Sequence, residues 1–400
     1  MPPRRHAPLL ISSLALLALL ATARPAGAIP TFARKYQTSC ATCHTVFPRL
    51  TAFGQAFRAA GYRFPADEDE DMVKDEPVEL GADAYRSLFP RAIWPATISH
   101  LTPLSVVVKS RVSAWIRGGT VADLTALEPT FDIYAASAIG ARLSVFGKVQ
   151  ANGPACSSCH SYFFATVNDV LPHSTIKIGK FEPEFFSFHQ QPATEFHDIL
   201  GPGRIVGNND WNLGRDYGVE LAGVALGRVR YVAGVLEGRG NLPSSDKDVY
   251  LHAALKLGGA RLDGEPDASY RAPIKNWRER SLTVGVLGYR GRAKVASNDE
   301  VGAAVTVTDG FLAGGLDVNL VFDDLTLFGA AVVEVHSAPT GTSDDIRAES
   351  YLGGIRYSRW PWLVPEVLFD YFNSELRGDF TYQARGRLET LVRANLKVRV

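Results

Sequence analysis

The fold is decided by the stretch Asp248-Val249-Tyr250-Leu251-His252-Ala253-Ala254-Leu255-Lys256-Leu257. Apolar residues occupy every odd position of this stretch, whereas most of the even positions carry polar or titratable side chains. A period of two is typical of a β-strand with one apolar and one polar face. Residues 104–117 and 392–400 show the same alternation. The chain from residue 101 to residue 400 is therefore predicted to be mainly β.

Two architectures share this alternation, since a β-sandwich turns its apolar face inward and a transmembrane β-barrel turns it outward. The connections between the predicted strands separate the two. They alternate between short links (140–141, 170–173, 227, 258–262, 323–324, 359–361) and longer ones (118–128, 152–160, 182–215, 238–246, 291–309, 337–345, 373–384). Short periplasmic turns and long outer loops are typical of a barrel. Counting hairpins predicts an antiparallel transmembrane β-barrel of about 14 strands.

The first 28 residues have the features of a secretory signal peptide. Arg4 and Arg5 precede an apolar run, and Ala26-Gly27-Ala28 forms a small-residue cleavage site. After Ala28 no segment approaches the ~18 continuous apolar residues of a membrane helix, so a membrane-spanning chain would have to be a closed barrel. The mature chain carries 39 basic and 42 acidic residues. Such a balance does not indicate a nucleic-acid partner.

All four cysteines lie in two copies of one motif, Cys40-Ala41-Thr42-Cys43-His44 and Cys156-Ser157-Ser158-Cys159-His160. In c-type haem attachment the two thiols form thioethers to one porphyrin, and the following histidine ligates the iron. A redox dithiol, half of a zinc site or a short disulfide would also use a pair of cysteines. None of these accounts for a histidine directly after the second cysteine in both copies. The sequence therefore predicts two covalently attached haem c groups.

The mature chain divides into three regions by composition. Residues 29–66 are predicted to be a small helical haem domain, in which Phe47, Leu50, Phe53 and Phe57 recur at helical spacing. These residues are expected to pack on the porphyrin face, which is compatible with packing on other protein. Residues 67–100 form an acidic linker, either solvated or a docking patch for a basic redox partner or metal cations. Residues 101–400 form the barrel, with the second motif in the 152–160 loop.

Each iron needs a sixth ligand or an open position. By the predicted topology His100 and His173 lie on the periplasmic side with the first motif, and they are the candidates for its haem. His189 and His197 lie in the long 182–215 connection on the side of the second motif. His189 is favoured there because Phe185, Phe186 and Phe188 surround it in the sequence. His252 and His336 are predicted to line the polar lumen.

The segment from Phe32 through Cys40-Ala41-Thr42-Cys43-His44 to Phe53-Gly54, followed by a β-rich remainder, resembles fused outer-membrane cytochrome–porins. That group includes iron-oxidising outer-membrane cytochromes. The resemblance implies a small c-type cytochrome domain that plugs a barrel in the bacterial outer membrane, with Cys40, Cys43 and His44 as the haem-binding residues. The second motif departs from the single-haem members of the group.

These features lead to one main functional hypothesis and two alternatives. The main hypothesis is a dihaem electron-transfer protein, embedded in outer-membrane lipid, between a periplasmic carrier such as a cytochrome and an extracellular redox substrate such as iron. One alternative is a dihaem peroxidase-like enzyme in which one iron binds substrate. The other is a solute porin whose haem domain acts as a sensor.

Overall fold

The structure is a computed structural model of the 400-residue chain. It describes residues 31–46, 49–64, 72, 77–78, 98–99, 104–117, 120–139, 142–152, 161–188, 205–210, 216–238, 246–270, 278–298, 304–341, 345–359, 363–375 and 380–390. Among these residues no helix has both the length and the apolar composition needed to cross a bilayer.

In the described part of the N-terminal region, residues 31–46 and 49–64, the chain forms three short helices and a small hairpin. The helices are α1 (Thr31–Lys35), α2 (Cys40–Cys43) and α3 (Ala52–Ala59); the hairpin pairs β1 (His44–Val46) with β2 (Arg49–Leu50). A second two-stranded pair joins β3 (Pro77–Val78) to β4 (Ile98–Ser99). The predicted helix begins later than its phenylalanine spacing indicated, since Leu50 lies in β2. Pro48 disfavours helical backbone at the preceding residue, and Thr51 caps α3 by accepting a hydrogen bond from Gly54 N at 3.1 Å.

Among the described residues, fourteen strands form one antiparallel sheet, which confirms the predicted number of about 14. They are β5 (Leu104–Arg117), β6 (Thr120–Ile139), β7 (Leu143–Asn152), β8 (Ser161–Asn168), β9 (Ser174–Phe181), β12 (Asp216–Ala225), β13 (Val229–Leu236), β14 (Asp248–Gly258), β15 (Glu279–Asn298), β16 (Ala304–Asp323), β17 (Leu325–His336), β18 (Ile346–Tyr357), β19 (Leu363–Ser374) and β20 (Phe380–Thr390). Each pairs with its neighbours in chain order, the up-and-down topology of a barrel wall. A separate hairpin, β10 (Ile205–Val206) with β11 (Asn209–Asp210), lies between β9 and β12 in the chain.

The sheet buries its polar face and exposes its apolar face. In β14 the exposed side chains include Val249 (44%) and Leu251 (64%), whereas Asp248 (0%) and His252 (2%) are buried. A β-sandwich would show the reverse. The same inversion recurs in other strands, where the exposed apolar residues include Phe163, Ile178, Val219, Val286, Leu316 and Ile355. The outer face of this sheet therefore suits lipid.

The height of the apolar outer face can be read along β15. Its outward side chains run from Arg280 through Leu282, Val284, Val286 and Gly288 to Arg290, and both arginines are exposed. Ten residues of antiparallel strand span about 34 Å, which corresponds to about 25 Å of height at a strand tilt of about 40°. Transmembrane barrels have an apolar band of about this height.

Four connections differ from the sequence prediction. In the predicted loop 373–384, residues 380–384 belong to β20 and pair with Asn373 to Phe369. Residues 120–128 belong to β6, so the link after β5 is short. Most of the predicted loop 291–309 is strand, because Gly291 to Asn298 pair with Phe311 to Ala304. The link after Gly258 extends to residue 278 instead of ending at 262. Beyond Arg290 the outward residues Arg292 and Lys294 are charged, so the apolar alternation breaks although the strand continues to Asn298.

Candidate functional site

The first cysteine motif is fixed to the beginning of α3. Thr51 N donates a hydrogen bond to the carbonyl of Cys43 at 2.8 Å, and Thr51 Oγ1 donates to the carbonyl of Thr42 at 2.8 Å. Gly54 lies so close to the backbone of Cys43 that a Cβ at this position would overlap the carbonyl oxygen. Only glycine fits at position 54, because the backbones of Gly54 and Cys43 are so close. The motif and α3 are therefore packed together as one unit.

The residues of this motif fit a covalently bound haem. Cys40 and Cys43 are three positions apart in the helical turn α2, a spacing that places both residues on one side of the turn. His44 follows at once in β1, and the side chains of Cys43 and His44 are partly exposed. Two cysteines followed by a histidine in this order are the residue types that c-type attachment uses.

The aromatic residues of the domain pack on one another. The ring of Phe57 lies 5.2 Å from that of Phe32 and 5.7 Å from that of Tyr36, while Phe53 lies 5.2 Å from Phe64. Phe57 is 5% exposed. Of the two roles predicted for Phe53 and Phe57, the described contacts are those of packing on other protein. Phe47 lies outside the described residues.

His173 lies in the turn between β8 and β9 and lines a cavity of about 540 Å³ with Ala56 and Ala59 of α3. At 100° per residue these two alanines are about 140–160° around α3 from Gly54, against which Cys43 packs. Helix α3 therefore stands between His173 and the first motif. This position of α3 argues against His173 as a ligand of the first haem, an assignment that stays a prediction.

The remaining predicted ligands lie outside the described residues, namely Cys156, Cys159, His160, His100, His189 and His197. The described part of β7 includes Asn152, so the connection that holds the second motif begins at residue 153. The phenylalanines near His189 contact the wall: Phe185 lies 5.0 Å from the ring of Tyr250, and Phe188 lies 5.1 Å from that of Phe328.

The N-terminal domain is docked on the inner side of the sheet. Ser144 Oγ of β7 donates a hydrogen bond to the carbonyl of Gly61 at 2.6 Å, and Arg63 forms an ion pair with Asp169 at 3.1 Å. The ring of Tyr62 stacks on Phe146 of β7 at 5.1 Å. Asp169 belongs to a short turn. The docking site is therefore at the short-turn end, where the sequence places the first haem domain.

A charged cluster that the sequence did not reveal joins the domain, the wall and the segment 182–188. Arg230 of β13 holds Glu184 in a bidentate ion pair, with Nε–Oε1 at 2.9 Å and Nη2–Oε2 at 2.8 Å. Arg58 of α3 reaches the same carboxylate at 3.5 Å. Burial alone raises the pKa of Glu184, but Arg230, Arg58 and Lys177 outweigh it and hold the pKa well below its usual range.

Glu220 of β12 forms the second half of this cluster. It accepts hydrogen bonds from Lys177, from Tyr250 and from the backbone N of Glu184, the last at 3.1 Å. Nearby, burial raises the pKa of Tyr62 to about 12, against the opposing charge of Arg58. The residues of this cluster are far apart in the sequence, so only the polar alternation of β9, β12, β13 and β14 could have indicated that some of them face inward.

Two buried histidine–aspartate pairs hold segments inside the sheet. His252 Nε2 lies 2.9 Å from Asp317 Oδ2, and Asp317 Oδ1 accepts a hydrogen bond from Ser187 N at 2.9 Å. His336 Nδ1 lies 2.7 Å from Asp309 Oδ2, which also accepts from Asn209 of the β10–β11 hairpin at 2.7 Å. Both histidines face inward, as the alternation predicts.

No protein-family model and no curated protein sequence matches the chain. Solved structures of similar shape include the anion-selective porin from Comamonas acidovorans, with 12% identity, a TM-score of 0.43 and coverage of 70% of this chain and 82% of that one. The outer membrane channel DcaP of Acinetobacter baumannii has 14% identity, a TM-score of 0.35 and coverages of 68% and 79%. Pseudomonas putida OprB has 9% identity, a TM-score of 0.36 and coverages of 75% and 94%. The fold assignment rests on the strand pairing and on the outward apolar face.

Proposed function

We propose that this chain is an electron-transfer protein of the bacterial outer membrane, in which a c-type haem domain is held inside a β-barrel. The observation that carries the proposal is the docking of the motif-bearing domain on the inner face of the sheet through Gly61 and Tyr62, with Arg63 paired to the turn after β8. A domain that served only as a soluble carrier would have no need of buried contacts with the wall. The two motifs at Cys40–His44 and 156–160 supply the sites for two haems.

The haem groups, when attached, supply one-electron redox chemistry. The chain's own residues have three tasks in this proposal. Cys43 and His44 are presented at the start of α3 by Thr51 and Gly54, which fixes the position of the site. Arg58 and Glu184 hold the domain against the segment 182–188. The outer apolar face keeps the barrel in lipid and separates the electron path from water.

The direct test is to count haems on the purified full chain by intact mass and visible absorbance. Two covalent haems are expected in the wild type and one in each of the variants C40A/C43A and C156A/C159A. A wild-type mass without haem would overturn the proposal. The His44→Ala variant should change the absorbance spectrum of the first haem. His173→Ala is the matched comparison, and it should leave the spectrum unchanged because α3 separates His173 from the motif.

The transport test uses liposomes that enclose a redox dye, with an impermeant reductant outside. Dye reduction by the wild type, and its loss in His160→Ala, would support conduction through both haems. No reduction above that of haem-free protein would contradict it.

A second candidate is a solute channel whose haem domain acts as a gate or sensor. The polar inner face favours it, since Lys177, Glu220 and Arg230 line the space beside the docked domain. Flux of small solutes through the same liposomes, without dye reduction, would support this candidate and contradict electron conduction.

A further inference from the structure

The outward face of β15 carries three basic residues at alternate positions, Arg290, Arg292 and Lys294, which we call the basic ladder. Arg290 and Arg292 are exposed and Lys294 is partly exposed. The ladder starts at the edge of the apolar band that lies away from the short turns. In a barrel with short periplasmic turns, this edge is at the level of the outer-leaflet headgroups.

Small neighbours leave the ladder accessible from the side. In the register of β15 and β16, Gly310 lies opposite Arg292 and Thr308 lies opposite Lys294. Directly below, Leu312 of β16 lies opposite Arg290 and Val249 of β14 flanks it, with exposures of 62% and 44%. A basic surface above an apolar one suits a ligand that has both an anionic headgroup and acyl chains.

The two edges of the band differ in how their positive charges are paired. At the short-turn edge Arg280 pairs with Asp323 at 3.0 Å, while Arg278 and Arg359 pair with Asp324 at 2.5 and 3.2 Å. At the other edge Arg292 Nη1 lies 3.9 Å from Asp246 Oδ1, and among the described residues no acid forms an ion pair with Arg290 or Lys294. The buried Asp248 accepts a hydrogen bond from the backbone N of Arg292 at 3.1 Å. Within the part of the chain that the structure describes, positive charge is therefore in excess at the ladder.

We propose that the basic ladder binds the phosphate groups of a phosphorylated glycolipid, of the lipid A type, in the outer leaflet. Guanidinium groups bind phosphate in a bidentate manner. Alternate residues of a strand are about 7 Å apart, so neighbouring residues of the basic ladder would contact different phosphates or different faces of one headgroup. The acyl chains would lie on Leu312 and Val249. The proposal rests on the outer-membrane location and is independent of the haems.

The test measures binding of fluorescent lipid A bisphosphate to the full chain in detergent micelles. The variant R290Q/R292Q/K294Q is compared with R278Q/R280Q/R359Q, which loses the same number of positive charges at the other edge. At about 1 kcal/mol for each basic residue near an anionic surface, the ladder variant should bind about a hundredfold more weakly. The control variant should bind like the wild type.

The proposal would be overturned by unchanged lipid binding in the ladder variant or by equal losses of binding in both variants. It would also be overturned if the wild type bound dephosphorylated lipid A as tightly as lipid A bisphosphate. Displacement of the lipid by inorganic phosphate alone at low concentration would assign the ladder to a free anion and would also contradict it. Heat-modifiable migration on gels checks that the variants are folded. If the triple variant does not fold, Arg292→Gln and Arg280→Gln provide the same comparison with one charge each.

Discussion

The outward apolar face can be tested at two leucines of β16 that are equally exposed but lie at different depths. Leu312 and Leu316 are each 62% exposed. Leu312 lies opposite Arg290, where an outward arginine already occurs, whereas Leu316 lies opposite Val286. Four residues of strand span about 14 Å, which is about 10 Å of depth at a tilt of about 40°. In a band about 25 Å high, Leu316 is thus close to the midplane.

An arginine near the bilayer midplane costs about 2–4 kcal/mol, and one near the interface about 0–1 kcal/mol. We therefore expect Leu316→Arg to lower the free energy of unfolding by about 2–3 kcal/mol more than Leu312→Arg, a factor of about 30 to 150 in the folding equilibrium. Repulsion between the new arginine and Arg290 disfavours the Leu312 variant, so the observed difference is a lower bound.

The assay is urea unfolding of the two variants and the wild type in phosphatidylcholine vesicles, followed by heat-modifiable migration on gels. If the face were exposed to water, both substitutions would stay within about 0.5 kcal/mol of the wild type. Equal effects of the two substitutions, whether small or large, would refute the assignment of this face to lipid.

Three further predictions concern the docked domain. Glu184→Gln leaves Arg230 buried without its carboxylate and should lower the free energy of unfolding by about 3–5 kcal/mol in urea titrations. Because the pKa of Glu184 is lowered in the folded state, its stabilisation is complete above the unfolded pKa of about 4.3 and is lost as the pH falls towards the folded pKa. The variant should lack this pH dependence. Gly61→Ala, at φ +71° and against the side chain of Asn168, should loosen the domain and speed tryptic cleavage of the linker. Tyr62 should ionise near pH 12 in the folded protein and near pH 10 in urea, measured as the difference in tyrosinate absorbance between the wild type and Tyr62→Phe. The contribution of Tyr62 to stability is present below pH 10 and is lost as the pH rises from 10 to 12.

Matched controls separate these effects from general ones. Glu237→Gln removes a carboxylate from an exposed ion pair with Lys247 and should cost at most about 1 kcal/mol. Gly238→Ala carries a comparable backbone strain at φ +93°, but its nearest neighbours are more than 3 Å from the added Cβ. Equal effects of Glu184→Gln and Glu237→Gln, or of Gly61→Ala and Gly238→Ala, would contradict the docking contacts as described.

The alternation in residues 248–257 predicted both the strand and its faces, because lipid on one side and a polar interior on the other impose a period of two. The same reasoning failed beyond Arg290, because there the outward residues Arg292 and Lys294 are charged while the buried residues Ala293 and Val295 are apolar. Loop length was therefore overestimated at 291–309. The sequence could predict an inward position for His252, but it could not predict that Asp317, 65 residues away, would be its partner.

The contacts at Glu184 were beyond sequence reasoning for a related reason. Arg230 is 46 residues away from Glu184 in the chain, and Ser144 is 83 residues away from Gly61. Contacts between residues so far apart in the chain depend on how the sheet curves and on where the segment 182–188 turns inward. The alternation of apolar and polar residues predicts neither. The haem motif, by contrast, is local in sequence and was predicted from five consecutive residues.

The position of α3 also sets an order of assembly. Arg58 contacts Glu184, while Tyr62 contacts Phe146 on the wall, so the domain is enclosed between the wall and the segment 182–188. Entry after the wall had formed would require that segment to leave all of its contacts with Arg230 and Tyr250. We therefore expect the N-terminal domain to be in place before the segment 182–188 closes over it, and a chain whose domain fails to fold should assemble more slowly.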